Sequence, residues 1–387
     1  MPTPVLTAAS LLTIQRRTKD RTLGKPFTPH AAPLSASAPG RLGYRMPAEW
    51  ERHEATWLGW PSNKTDWPGK FAPIPWVYGE IVRKIAPGEI VRIVADAPSR
   101  TQAERVLKRV GADLSHIEFF NFPTNRGWTR DSGPLFVQNS REPREAIIAR
   151  FRFNAWAKYD DWRKDDLLPE RVAKRLGIHL HRARIGDKDF VLEGGSIDVN
   201  GRGSLLTTEE CLLDPLVQAR NPDFGRQAIE QALRDNLGVS NILWLNKGIA
   251  GDDTHGHVDD LCRFVNPTTV VLVQESNPHD ANYRPLQENR ERLQEMRLED
   301  GTKVQTIFLP MPAPLFLDGQ RLPASYANFY MANAALLVPT FNDSNDRKAL
   351  DILSELVTDR PVVGVHAVDL VWGLGTIHCL TQQQPAR

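Results

Sequence analysis

A short β-type run returns along this chain at a near-constant interval, and that recurrence limits the fold more than any other feature. The runs are Thr56-Trp57-Leu58, Leu135-Phe136-Val137, Ser204-Leu205-Leu206, Val270-Val271-Leu272-Val273 and Leu336-Leu337-Val338. From Leu58 through Leu135, Leu205 and Val271 to Leu337, equivalent positions lie 77, 70, 66 and 66 residues apart. Self-similarity at a fixed period marks a repeat architecture. Several runs read as the second arm of a hairpin, with turns supplied by Asp198-Val199-Asn200-Gly201-Arg202-Gly203 and by Val265-Asn266-Pro267-Thr268. Helical stretches fall between them: Ser99 to Val110 with Ser99 as N-cap and Gly111 past its end, Glu170 to Leu176, Gly225 to Leu237, Pro285 to Glu299, and Asp343 to Leu356. The unit is therefore strand, strand, helix, strand, repeated about five times. One unit has too little core to stand alone, so the units are expected to pack around a common axis as a closed ring of five α/β units. An ordinary open α/β sheet with regular strand spacing is the alternative.

Charge and cysteine usage narrow the class. Lys plus Arg number 48 and Asp plus Glu 47, a formal charge of +1, which argues against a general nucleic-acid or polybasic membrane binder. No apolar run approaches the ~20 residues a membrane helix needs. Cys211, Cys262 and Cys379 form no CxxC pair and no disulfide framework, a usage that fits a reducing, cytoplasmic compartment. Residues 1–45 differ from the rest, with seven Arg or Lys against the single acid Asp20. They read as a disordered extension or as a basic, acid-poor organelle-targeting segment; Leu11, Leu12 and Ile14 are too short an apolar stretch for a secretory signal. The folded body is expected to begin near Met46 and to form a single catalytic domain over residues 46–387.

Four segments carry chemistry. In Gly127-Trp128-Thr129-Arg130-Asp131-Ser132-Gly133-Pro134, Asp131 sits among turn residues at a strand entrance. Glu193 follows the apolar Phe190-Val191-Leu192 and precedes Gly194 and Gly195; a glutamate at the end of a buried strand is costly without a job or a partner. Asp252-Asp253-Thr254-His255-Gly256-His257-Val258-Asp259-Asp260 nearly matches an HxHxDH zinc pattern, but its last position is aspartate and no further histidine set follows, so metal binding is the second reading. On a strand, His257 and Asp259 would share a face, and His255 could join them. Finally, Gly373 and Gly375 precede Cys379, whose thiol a turn would present; His257 supplies a possible base. Cys211, among Glu209 and Glu210, and Cys262, in an apolar strand, lack comparable surroundings. Carboxylates at 131, 193 and 259, an imidazole and a thiol suit a planar guanidinium. Carboxylates bind its N–H fork in bidentate fashion, and its charge-delocalised carbon needs a soft, strong nucleophile. Trp128 and Trp372 are placed to stack on such a cation or to serve as packing.

At these residues the chain resembles the agmatine deiminase family of the guanidine-modifying superfamily. The matching segments include Met46-Pro47-Ala48-Glu49-Trp50, His53-Glu54-Ala55-Thr56-Trp57, Trp128 to Pro134, Glu193 to Ile197, Thr207 to Leu213, Gly256-His257-Val258-Asp259, Ala327-Asn328-Phe329-Tyr330, Val338-Pro339-Thr340-Phe341 and Gly375 to Cys379. The basic N-terminal extension departs from the family. The resemblance implies a five-bladed α/β-propeller and the conversion of agmatine and water to N-carbamoylputrescine and ammonia, a step toward putrescine. It implies Cys379 as nucleophile, His257 as general acid and then base, Asp131 and Asp259 as guanidinium holders, and Glu193 orienting His257 or the substrate. It also implies no metal or organic cofactor, and a homodimer. A peptidyl-arginine deiminase shares the same constellation. A catalytically dead polyamine-binding propeller would lack the thiol or the imidazole, and both are present.

Overall fold

A computed structural model of the chain describes residues 38–141 and 144–387. The arginine-rich stretch and Leu11, Leu12 and Ile14, on which the extension and targeting readings rest, lie outside the described residues. Regular structure among the described residues is already present ahead of Met46. The 3-10 turn Pro39–Leu42 follows the buried Ala38, and Arg41 Nε donates to Asp235 Oδ1 (3.0 Å) on the helix Arg226–Leu237. Tyr44–Arg45 then pairs antiparallel with Leu135–Asn139. A two-residue strand is too short to show a period of its own.

Each of the five recurring runs is a strand, and each belongs to a different sheet. The pattern within a sheet repeats. Asp198–Val199 pairs antiparallel with Ser204–Thr208, and the helix Arg226–Leu237 then leads to Asn241–Leu245, parallel to Ser204–Thr208. Cys262–Phe264, Thr269–Gln274, the helix Tyr283–Glu295 and Gln305–Pro310 make the same unit. So do Tyr330–Met331, Leu336–Thr340, the helix Asn345–Leu356 and Val362–His366. Leu135–Asn139, Ala146–Arg150, the helix Leu168–Leu176 and Leu180–Arg182 are the fourth, with Tyr44–Arg45 added at the edge.

The fifth sheet joins a strand early in the described residues to the last one. Thr381–Pro385 pairs antiparallel with His53–Gly59, which runs parallel to Ile90–Val94, itself parallel to Ile117–Phe120. Gln382, Gln383 and Gln384 lie inside this sheet. Gln384 Oε1 accepts from Trp57 Nε1 (3.0 Å) and Arg92 Nη1 (2.6 Å), and Gln383 Oε1 from Arg130 Nη1 (2.7 Å). Buried amides are costly unless paired; the Gln383 and Gln384 carbonyl oxygens are paired, while Gln382 Oε1 and Gln384 Nε2 have no partner among the described residues.

Helix phase follows burial. In Ile74–Ile85, residues Ile74, Tyr78, Ile81, Val82 and Ile85 fall on one stripe and are all buried. The helix expected from Ser99 spans Ala97–Val110, because Asp96, not Ser99, is the cap: its side chain accepts from Ser99 N (2.9 Å). No helix among the described residues is long and apolar enough to cross a membrane.

Candidate active site

Each sheet's antiparallel pair is preceded by a short turn, and these turns carry the polar side chains that meet. They are Thr129–Ser132 before Leu135–Asn139, Gly194–Ser196 before Asp198–Val199, Val258–Asp260 before Cys262–Phe264, Asn328 before Tyr330–Met331, and Ile377–Leu380 before Thr381–Pro385. Asp131, Glu193, His257 and Asp259 come together around one imidazole. His257 Nδ1 lies 3.8 Å from Asp131 Oδ1 and 3.9 Å from Asp259 Oδ1, while Nε2 lies 3.7 Å from Glu193 Oε2. All four side chains are buried.

Backbone geometry differs from the sequence expectation at His257. The segment is not a strand. His257 is extended (φ −59°, ψ 135°) and leads into the 3-10 turn Val258–Asp260. Asp252 Oδ2 accepts from Gly256 N (2.7 Å) and His257 N (3.0 Å), which fixes the approach. His255, at φ +65°, does not share the face of His257; its Nε2 meets Asp214 Oδ2 at 3.0 Å. The histidine pair of the zinc-like pattern is therefore split between two environments.

Asp131 is held by Gly195 N (3.0 Å to Oδ1) and Trp156 Nε1 (2.9 Å to Oδ2). Position 195 must be glycine. An added Cβ would stand 2.5 Å from His257 Nδ1, 2.9 Å from Asp131 Oδ1 and 3.0 Å from Asp259 Oδ2. Burial, reinforced by Asp259 and Glu193 and opposed by the His257 imidazole, raises Asp131 to about 6.

Glu193 caps its own turn rather than ending a strand, and its partner is Arg220, which the sequence did not signal. Arg220 Nε donates to Glu193 Oε1 (3.1 Å), with both side chains fully buried. Burial works against the charge on Glu193, but Arg220 and then His257 overcome it and hold the carboxyl at about 2. His257 is pushed the other way: burial opposes its charge, yet Asp131, Cys211 and Glu193 lift it well above the usual imidazole range.

Cys379 sits in the helical turn Ile377–Leu380 with only 7% of its surface exposed. Its Sγ lies 3.8 Å from Asp259 Oδ2 and receives a hydrogen bond from Asn328 Nδ2 at 3.2 Å. Asn328 Oδ1 in turn accepts from Thr376 Oγ1 (2.6 Å) and His378 N (3.1 Å), pinning the turn that carries the thiol. A Cβ at Gly375 would stand 2.9 Å from Trp128 Cζ3 and 3.2 Å from Cys379 Sγ, so glycine lets the indole and the thiol approach. Burial, then Asp259, Asp260 and Asp131, push the Cys379 thiol up. In the protein alone the thiol is therefore held protonated.

The site opens into a cavity of about 210 Å³ lined by Trp128, Asp131, Trp156, Tyr159, Gly375 and Cys379, among others. Trp128 thus faces the reacting groups. Trp372, expected to play a similar part, does not line the cavity: its Nε1 donates to Pro68 O (3.0 Å), and Lys70 Nζ stands 4.8 Å from its ring centroid.

Two sets of donors have the spacing of metal ligands: Glu193, Cys211 and His257, and Asp259, Asp260 and Cys379, with ligand atoms within 4.8 Å of one another. Cys211 therefore has surroundings the sequence did not suggest. The acids beside it in sequence turn elsewhere, Glu210 to Gly248 N (2.8 Å) and Glu209 to Arg226 and Arg292, leaving the thiol against His257.

Known proteins are similar to this chain in sequence and fold. A family model described as Porphyromonas-type peptidyl-arginine deiminase matches residues 45–385. An agmatine deiminase of Pseudomonas aeruginosa (strain LESB58) is 36% identical over 373 residues, covering 90% of this chain and 98% of its own. The structure of an agmatine deiminase of Enterococcus faecalis is similar with a TM-score of 0.82 and 32% identity, covering 92% of this chain and 99% of that one. A C. jejuni agmatine deiminase with substrate bound gives a TM-score of 0.77 and 30% identity over 88% of this chain and 96% of that one.

Proposed function

From the premise that this chain belongs to the Porphyromonas-type peptidyl-arginine deiminase family, we propose that it hydrolyses agmatine to N-carbamoylputrescine and ammonia through a covalent cysteine intermediate. The carrying observation is a buried thiol, Cys379, beside carboxylate and imidazole atoms without a hydrogen-bond partner among the described residues: Asp259 Oδ1, Glu193 Oε2 and His257 Nε2. An unpaired buried acceptor is costly, and a guanidinium with N–H groups in a fixed fork satisfies the one at Asp259, while Glu193 Oε2 faces the imidazole.

The chemistry proceeds in two halves. Asp131 and Asp259 take the guanidinium N–H groups. The arriving cation neutralises the carboxylates that hold the thiol protonated, so Cys379 can give up its proton. The thiolate adds to the guanidinium carbon, forming a C–S bond. One C–N bond then breaks while His257 donates a proton to the departing nitrogen, and ammonia leaves. That proton is the third hydrogen of the ammonia, and the proton lost earlier by the thiol passes to solvent, where the ammonia takes it up as ammonium. An S-alkylthiouronium remains. His257, now neutral, takes a proton from water, the hydroxide adds to the same carbon, the C–S bond breaks, and Cys379 is restored as the carbamoyl product departs.

Glu193 faces His257 Nε2 from 3.7 Å and, with Arg220, keeps a fixed negative charge behind the imidazole. Trp128 offers its face to the planar cation. The cavity of about 210 Å³ is smaller than the roughly 300–1,000 Å³ of sites for drug-sized ligands, which favours a small guanidine over an arginine within a peptide.

The five sheets are, in this reading, the five units of a single α/β-propeller domain. Two facts support it: one leading turn from every sheet reaches the site, and the strand His53–Gly59 shares its sheet with Thr381–Pro385.

Ammonia release from agmatine, free arginine and a blocked arginine peptide, each with and without chelator, tests the assignment. Chelator-resistant turnover of agmatine alone is expected. Turnover of the peptide moves the protein to the peptide-modifying activity, and chelator-sensitive turnover implicates a metal.

A further inference from the structure

Next to the nucleophile in sequence stands a buried histidine that the chemistry above does not use. His378 Nδ1 lies 2.7 Å from Asp259 Oδ2, and its Nε2 lies 2.8 Å from Glu49 Oε2. His378 is 1% exposed, so it spans two carboxylates away from bulk solvent, where charges are poorly screened. When both carboxylates are ionised, both ring nitrogens act as donors. The geometry separates the two oxygens of Asp259. Oδ2 is taken by His378, whereas Oδ1 has no hydrogen-bond partner among the described residues and lies 3.9 Å from His257 Nδ1.

Glu49 is itself fixed from several sides. Its Oε1 accepts from Met331 N (2.9 Å) and lies 3.0 Å from Arg263 Nη2, and its Oε2 accepts from Arg130 Nη2 (3.2 Å). Those two arginines are tied in turn, Arg130 to Gln383 Oε1 (2.7 Å) and to His378 O, Arg263 to Phe329 O (3.0 Å). Arginines pair such carboxylates well because their fork is rigid and always charged. The result is a chain from Arg130 and Arg263 through Glu49 and His378 to Asp259, anchored in the strands on either side of the thiol.

We infer that His378 and Glu49 are positioning residues for the deiminase reaction: they occupy one oxygen of Asp259 and so hold the other free, and aimed, for the substrate guanidinium. Without that anchor the carboxylate can turn so that its free oxygen pairs with His257 Nδ1, 3.9 Å away, and no free acceptor is presented to an incoming cation. The anchor also ties the turn Ile377–Leu380 directly to the substrate-binding carboxylate, so nucleophile and binding group keep their spacing. The inference rests on the deiminase reading of the site.

The two ring nitrogens of His378 can be replaced separately. His378→Asn keeps a donor near the Nδ1 position, facing Asp259. His378→Gln keeps one near Nε2, facing Glu49. Steady-state kinetics with agmatine, and agmatine affinity in the Cys379→Ala background, should rank the two. Asparagine is expected to stay within about 10-fold of the wild-type kcat/KM. Glutamine should lose about 100-fold, with agmatine binding weakened in step, as befits a lost charge-assisted hydrogen bond.

Thermal midpoints of both variants separate positioning from folding. Equal losses for the two, the reverse order, or losses that simply follow the midpoints overturn the inference. Glu49→Gln, which keeps the size and removes the charge, covers the case of misfolding at 378: it should weaken agmatine binding about 10-fold, and unchanged binding overturns the inference as well. Agmatine turnover by the wild type checks the deiminase reading separately, since the asparagine-against-glutamine order is scored only relative to it.

Discussion

His257 Nε2 and Glu193 Oε2 face each other 3.7 Å apart, and neither has a hydrogen-bond partner among the described residues. Glu193 keeps its charge because its other oxygen rests on Arg220. Its effect on His257 is to favour the protonated ring. Replacing Glu193 by Gln removes that push and lowers the pKa of His257. The alkaline limb of the kcat–pH profile should therefore move to lower pH, and kcat should fall about 100-fold, as for a mispositioned general acid. A profile that keeps its shape and only scales down would place Glu193 outside the proton transfer.

Space beside the imidazole gives a second prediction. A Cβ at position 195 would stand 2.5 Å from His257 Nδ1 and would crowd Asp131 and Asp259 as well. Gly195→Ala should reduce kcat/KM about 100-fold, the usual cost of moving a reacting group by ~1 Å, with a small change in unfolding midpoint. Retention of full activity would mean that the three side chains are not held at the spacing described.

Asp131 makes stability depend on pH in an unusual direction. Burial raises its pKa from 3.8 to about 6 in the folded protein, so the folded state binds the proton more tightly than the unfolded chain. Stability from this group is greatest below about pH 4 and falls as pH rises through 6. Glu193 runs oppositely: held at about 2 against 4.5, its contribution is present above 4.5 and is lost as pH falls toward 2. Between pH 4 and 7, Asp131→Asn should therefore gain on the wild type by on the order of 3 kcal/mol in unfolding free energy, whatever fixed cost the lost hydrogen bond from Trp156 imposes. Denaturant titrations of both proteins at the two pH values measure it; a difference independent of pH contradicts the assignment.

The two tryptophans should separate in binding. Trp128 lines the cavity and packs on Trp67 with ring centroids 5.2 Å apart, whereas Trp372 is turned to Pro68 and Lys70. Trp128→Leu should raise KM for agmatine by about 3- to 30-fold, the range of a cation–π contact. Trp372→Leu should leave KM within about 2-fold.

Much of this was legible in the sequence because each leading turn announces itself locally. Asp131, Glu193, Asp259 and Cys379 stand among glycines and turn residues beside apolar runs, so chemistry and strand position could be read together. The partners could not. Trp156 reaches Asp131 across 25 residues and Arg220 reaches Glu193 across 27, from loops with no pattern of their own. Asn328 appeared only within a family-like segment, yet its amide holds both the thiol and the turn. His257 and Asp259 were expected to share a strand face, but Asp252 captures two backbone N–H groups and bends the segment into a 3-10 turn. Cys211 was judged by the acids next to it in sequence, whereas packing sends those acids outward and the thiol inward.

Rapid acid quench of the protein during agmatine turnover, followed by mass analysis of the peptide carrying Cys379, tests the thiol chemistry most directly. A covalent thiol mechanism gives a fraction of that peptide bearing agmatine less one ammonia, absent from Cys379→Ala, which should also release no ammonia. An unmodified Cys379 at every quench time, or ammonia release at the wild-type rate by Cys379→Ala, would contradict it.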